Sequence, residues 1–227
     1  MGESVLEALD ICPEKHRLIA VVGAGGKTTL IYRMAAELRE RGLRVLVTTT
    51  THMQREGRAG FAPLGKEAEG EKIVGFPPEV PRRFLAEYEV VLVEADGSRR
   101  LPFKVPEVWE PVLPVGADLV IGVAGAAALG KPFREACFRY ETACRQFGCS
   151  PGERITAHHM LASLTGSFGQ KKGVGCAYRY AIGQGDLLSE NQREELEKVG
   201  RRYEETGCIL SFSMEKFRKM QKDTEVY

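Results

Sequence analysis

The chain has 227 residues, 43% of them hydrophobic and 28% charged, and a formal net charge of +1. This length suits one sizeable α/β domain, and the composition is that of a soluble globular protein. The charge balance gives no footing for nucleic acid or an anionic membrane, and no apolar run reaches spanning length.

The N-terminal residues lack the basic start and apolar core of a signal peptide, so a cytoplasmic location is expected. Leu6 stands where a myristoylation signal wants Ser or Thr. Cys12, Cys137, Cys144, Cys149, Cys176 and Cys208 are too sparse for a disulfide scaffold and fit reduced thiols. Three of them, Cys137, Cys144 and Cys149, lie close in sequence without a Cys-x-x-Cys unit. Buried or idle thiols are expected there, rather than a zinc or selenium site.

In chain order, residues 4–10 read as a short helix capped by Ser4. Residues 17–22 form a first strand, which runs into Gly23-Ala24-Gly25-Gly26-Lys27-Thr28-Thr29. A helix leads out, with Leu30, Ile31, Met34, Ala35 and Leu38 on one face and Gly42 as its stop. Strand, glycine turn with lysine, then helix is the order that cradles nucleotide phosphates. The glycines let backbone N–H groups approach the oxygens, and the helix N-terminus adds partial positive charge. The spacing G-x-x-G-K-T is two residues shorter than the common G-x-x-x-x-G-K-[ST], and is similar to the loop of Mur ligases and folylpolyglutamate synthetases. On this reading Gly23, Ala24, Gly25, Gly26, Lys27, Thr28 and Thr29 bind the phosphates. Lys27 occupies an exposed loop position and neutralises the terminal oxygens, and Thr28 ligates Mg2+.

Residues 43–49 read as a second strand, followed by Thr50, Thr51 and His52 on the ligand side of an α/β sheet. The polar stretch 54–71 is either a mobile lid or a disordered loop. Residues 81–88 read as a helix, and 90–93 as a buried parallel strand. That strand ends in Glu94-Ala95-Asp96-Gly97-Ser98, the strand-then-carboxylate order of a Walker B segment. Glu94 and Asp96 lie two apart on an extended segment, so both can face one side. One would hold Mg2+ and the other position water.

The proline-rich segment 101–114 is expected to be irregular, and is either a substrate wall or an ordinary connection. Trp109 is expected to be a packing anchor. Residues 118–123 are a further strand, ending at Gly125, and 133–164 are helix-rich. His158 and His159 are adjacent and diverge on a helix, so they are expected to be ordinary helix residues. Residues 176–182 form another strand, Ser189 and Gln192 a capping box, and 208–212 the last strand before a polar C-terminal tail. The repeated β-α-β order predicts a doubly wound, mostly parallel α/β sheet with helices on both faces, as one unit over 1–227.

Taken together, Gly23–Thr29, the Thr48-to-Met53 run and Glu94-Ala-Asp96-Gly-Ser98 resemble the YqeC family. So do Pro102, Lys104, Pro106, the run from Glu110 to Pro114, the glycines from Gly122 to Gly130, and Arg139-Tyr-Glu141. The resemblance covers about residues 15–188. It implies a P-loop NTPase fold and an accessory role to selenium-dependent molybdenum hydroxylases. From it, Thr50, Thr51, His52, Ser98, Arg99, Lys104 and Arg139 are the expected substrate or partner residues. The expected partners are a nucleoside triphosphate (ATP or GTP) and a client hydroxylase or its cofactor.

The expected activity is therefore slow Mg2+-dependent NTP hydrolysis, with Lys27, Glu94 and Asp96 as its machinery. An acyl-phosphate-forming ligase and a non-hydrolysing nucleotide-gated switch are the alternatives. Asp186 sits where many P-loop GTPases carry a base-reading aspartate, but Gly183 and Gln184 replace the Asn and Lys that support it. Asp186 either reads the base or belongs to the turn before the next helix, and the nucleotide base is left open.

Overall fold

The computed structural model describes residues 4–54, 60–66 and 72–211. In chain order the elements are α1 (Val5–Ala8), β1 (Leu18–Gly23), α2 (Lys27–Glu40), β2 (Val45–Thr49), β3 (His52–Gln54), β4 (Lys72–Val74), β5 (Val90–Glu94) and β6 (Phe103–Lys104). They continue with β7 (Leu119–Gly125), α3 (Phe133–Ala136), β8 (Cys137–Phe138), α4 (Tyr140–Phe147), α5 (Ala157–Thr165), β9 (Ala177–Gly183), α6 (Glu190–Gly200) and β10 (Thr206–Ile209).

Six strands form one parallel sheet in the order β10-β9-β7-β1-β5-β2. From β1 the chain moves out to β2 and back to β5, then crosses to β7 and continues outward to β9 and β10. The order reverses at β1, and ligands of open α/β sheets bind beyond the strand ends at such a point. The fold is thus the expected doubly wound α/β architecture.

The strands are apolar throughout because both faces are covered. Leu18, Ala20 and Val22 face the core formed with Phe103, Phe133, Met160, Leu161 and Leu164. Ile19 and Val21 face the other way, onto Leu30, Ile31, Met34 and Leu38 of α2 and Val5, Leu6 and Leu9 of α1. Successive side chains of one strand therefore serve two cores.

Several boundaries differ from expectation. The N-terminal helix spans only Val5–Ala8, with Ser4 accepting from Glu7 N. β2 begins at Val45 because Gly42, at φ 83°, and Leu43 turn back to close the end of α2. The helix expected over 81–88 is a 3-10 turn, Pro81–Ala86. The proline-rich segment carries a two-residue strand, β6, paired in parallel with β8. β8 in turn interrupts the expected helical region. Between 54 and 71, residues 60–66 run beside the sheet, with Thr48 Oγ1 donating to Leu64 O at 2.8 Å. Residues 55–59 and 67–71 of the expected lid, and the polar tail 212–227, lie outside the described residues. Among the described residues, no helix is long and apolar enough to cross a membrane.

Candidate functional site

The turn between β1 and α2 is built by glycines that no other residue replaces without strain. Gly23, Gly25 and Gly26 sit at φ 96°, 70° and 124°. A Cβ at Gly25 would overlap the Gly125 backbone, and would lie 2.5 Å from Pro102 O. The turn is thus held against the end of β7, with Ala24 N donating to Val123 O at 2.8 Å. Gly26 caps α2 without any side-chain hydrogen bond, and a Cβ there would meet nothing within 4 Å among the described residues. An uncapped helix N-terminus facing open space is an anion-binding arrangement.

Lys27 is the first residue of α2 and is only 4% exposed, which corrects the expectation of an exposed loop position. Its Nζ donates to Gly23 O at 2.8 Å and to Ser98 Oγ at 3.3 Å. Burial holds its pKa below the usual lysine range, against the pull of Glu94 and Asp96. An arriving anion would offset that desolvation.

β5 lies directly beside β1, with Glu94 paired in register with Val21. This adjacency brings both carboxylates to the glycine turn. Glu94 accepts from Thr28 Oγ1 at 2.8 Å. Asp96 accepts from Gly23 N at 3.2 Å and pairs with Lys104. Burial pushes Asp96 up, while Lys104 pulls it down. The Thr28 hydroxyl and Glu94 carboxylate are neighbouring hard oxygen donors, the chemistry Mg2+ prefers. They fit Mg2+ better than Asp96, whose oxygens are engaged by Lys104 and the Gly23 amide.

Lys104 is fully buried and also meets Glu110 at 2.9 Å, and Glu110 accepts from Arg139 at 2.7 Å. Arg99 and Arg139 lie over the Phe138 ring. On the other flank, Thr50 Oγ1 donates to Val112 O at 2.6 Å, tying the end of β2 to the proline-rich segment. Thr51 N donates to Thr49 Oγ1 at 3.0 Å, and His52 is exposed at the start of β3.

A cavity of about 240 Å³ opens beside the turn, lined by Gly26, Thr29, Leu30, Val123, Gly183 and Asp186 among others. Asp186 therefore shares a cavity with the first turn of α2. It belongs at the same time to the 3-10 turn Gly185–Leu187 before the capping box of Ser189 and Gln192. Gln184 Oε1 is buried in this wall without a hydrogen-bond partner among the described residues.

Two features escaped the sequence reading. Glu110 joins Lys104 to Arg139, a role the sequence reading did not give it when it named the run from Glu110 to Pro114. Trp109 is not a buried anchor: it is 65% exposed and lies beside Arg139. His159 closes a capping box with Thr156 and packs on Phe133 and Phe147, so its role is structural. Cys137 and Cys144 are buried, and burial pushes their thiols up to about 12 and about 11. Thiols held that high are poor nucleophiles and poor metal ligands.

Comparison with known proteins agrees with this layout in extent. The family model described as YqeC protein matches residues 19–64 and 54–141, which include the glycine turn, both carboxylates and Arg139. A protein of Escherichia coli (strain K12), described as "Uncharacterized protein YqeC", is 31% identical over 228 aligned positions, covering 84% of this chain and 89% of that one. On both grounds the chain belongs to the YqeC family.

Proposed function

We propose that this protein binds a nucleoside triphosphate with Mg2+ at the β1–α2 turn and hydrolyses it slowly. The observation that carries the reading is the convergence of Lys27, Thr28, Glu94 and Asp96 on one glycine turn at the point where strand order reverses. In this reading the amides of Gly25, Gly26 and α2's first residues face the phosphates, while those of Gly23 and Ala24 are taken by Asp96 and Val123 O. The Lys27 amine moves from Gly23 O to the terminal phosphate oxygens. Thr28 and Glu94 hold Mg2+, which when bound neutralises charge developing on the phosphates. Asp96, braced by Lys104, orients the Gly23 amide. Catalysis on this scheme is positioning and electrostatics, with no covalent intermediate.

The wider role, assisting maturation or insertion of a selenium–molybdenum cofactor in a client hydroxylase, is supported by the sequence resemblance described above. A ligase would need an acceptor for the phosphoryl group and a switch would not turn over. Titration of the purified protein with labelled ATP and GTP, each with and without Mg2+, together with phosphate release, tests the reading. Mg2+-dependent binding with slow release of free phosphate is expected. Absence of binding by either nucleotide would refute it.

A further inference from the structure

The loop after β5, the strand β6 and the turn into α4 bring three cations onto one aromatic ring. The guanidinium carbons of Arg99 and Arg139 lie 5.4 and 4.9 Å from the Phe138 ring centre, and Lys104 Nζ lies 5.4 Å from it. Arg139 lies 5.4 Å from the Trp109 ring as well. Lys104 is matched by Asp96 and Glu110, and Arg139 shares Glu110. Arg99 meets no carboxylate among the described residues, and only the ring supports its guanidinium.

The backbone is held unusually to achieve this. Arg99, Arg100 and Arg139 all adopt the left-handed region, at φ 48°, 64° and 62°. Non-glycine residues visit that region seldom, and they gather where a ligand must be met. Between Asp96 and Ser98, a Cβ at Gly97 would meet nothing within 4 Å among the described residues. Ser98, next to Arg99, accepts from Lys27 and makes the cation cluster continuous with the glycine turn. Lys104 and Arg139 are matched by Asp96 and Glu110, so the charge left to meet a ligand is that of Arg99.

The geometry points to a second-ligand site here, for a small molecule carrying a phosphate or carboxylate group, held by Arg99 and Arg139 over Phe138. Guanidinium forks pair bidentately with either oxyanion, and the ring offers a flat apolar floor. The site rests on the nucleotide reading only for what lies beside the ligand, not for its binding.

Trp109 is the only tryptophan and touches Arg139, so its fluorescence reports occupancy directly. Phenyl phosphate and benzoate are titrated separately into the full chain, into Lys27→Met, and into Arg99→Ala and Arg99→Lys. A saturable change is expected in the wild type and in Lys27→Met alike, weakened at least about tenfold in Arg99→Ala, as expected for loss of one charge-assisted pair. The tighter of the two probes identifies the group recognised. If thermal melting shows Arg99→Ala unfolded, Arg99→Lys carries the test, because it keeps the charge and loses the fork. Unchanged affinity in the folded Arg99 variant overturns the site. So does a response lost in Lys27→Met but kept in the Arg99 variants, which places the anion on the glycine turn alone. A glutamate-rich peptide that binds more tightly than both probes and displaces them also overturns it, in favour of a protein tail. Loss of labelled-nucleotide binding with phenyl phosphate still bound counts against the nucleotide reading and not against this site.

Discussion

Lys27 and Lys104 are both buried lysines, yet they are buried for different reasons. Lys27 rests on a backbone carbonyl and a hydroxyl, with no carboxylate in direct contact among the described residues. Lys104 sits between Asp96 and Glu110. Lys27→Met keeps most of the stem volume, so the variant should stay folded, while triphosphate affinity falls about tenfold to a hundredfold for loss of charge-assisted bonds. A labelled-nucleotide titration checks this, and unchanged affinity removes the central role given to Lys27. Lys104→Met should instead destabilise the fold by about 3–5 kcal/mol, because Asp96 is left as an uncompensated buried charge. The pH dependence follows. Asp96 has a folded pKa above its unfolded value, so the protonated form favours the fold; its contribution is present below the unfolded pKa and lost as pH rises through the folded one. Without Lys104 that shift grows, so urea melts should show Lys104→Met losing more stability at alkaline than at acidic pH. Adding Asp96→Asn should remove the difference. The convergence of Lys27, Thr28, Glu94 and Asp96 on one turn was legible in the sequence because strand, glycine turn and carboxylates follow one another at fixed spacing. Glu110 was not, because its partners Lys104 and Arg139 meet it only through the pairing of β6 with β8.

Among the elements, the β1–α2 turn is the one with least freedom. Gly25 is pressed between the Gly125 backbone and Pro102 O, whereas Gly42, also at positive φ, has nothing near its missing Cβ. Gly42→Ala should therefore cost about 1 kcal/mol, the strain of the left-handed conformation alone. Gly25→Ala should cost at least about twice that, because backbone atoms rather than a flexible side chain must move. Denaturant midpoints of the two variants check the ranking, and equal costs would show that the turn adapts. The strands were legible because burial on both faces writes continuous apolar runs, and the Ser189 and Gln192 capping box announced α6. The short elements were not. β6 and β8 have two residues each and exist through pairing with each other, which no local pattern encodes. The helix expected over 81–88 lost to a 3-10 turn of a single short stretch, which periodicity does not separate from an α-helix.

At the scale of the whole molecule, strand order decides where a nucleotide could extend. β1 has β5 on one side and β7 then β9 on the other, so the carboxylates and the cavity of about 240 Å³ flank the glycine turn on opposite sides. That volume lies below the ~300 Å³ of the smaller small-molecule pockets, so it fits part of a ligand rather than the whole. A triphosphate on the turn would place its base and sugar there, against Leu30, Leu187 and Leu210, with Asp186 and Gln184 at the wall. Guanine offers two donors to a carboxylate where adenine offers none, so a fully formed aspartate reader discriminates strongly. Here Asp186 is exposed within a 3-10 turn, and water competes for its oxygens. Gln184, at φ 62°, has its Oε1 buried and unpaired among the described residues, so its amide would have to turn to accept from the exocyclic amine of either base. ATP and GTP are therefore expected to bind within about tenfold of each other, a difference of no more than about 1.4 kcal/mol. Asp186→Ala should shift their ratio only slightly. Competition of each unlabelled nucleotide against one labelled triphosphate measures the ratio directly. A strong GTP preference that disappears in Asp186→Ala would mean that Asp186 is desolvated in the complex and reads the base after all. A strong ATP preference that survives the change would move base recognition to Gln184 or the leucines, with Gln184→Ala as the variant that separates the two.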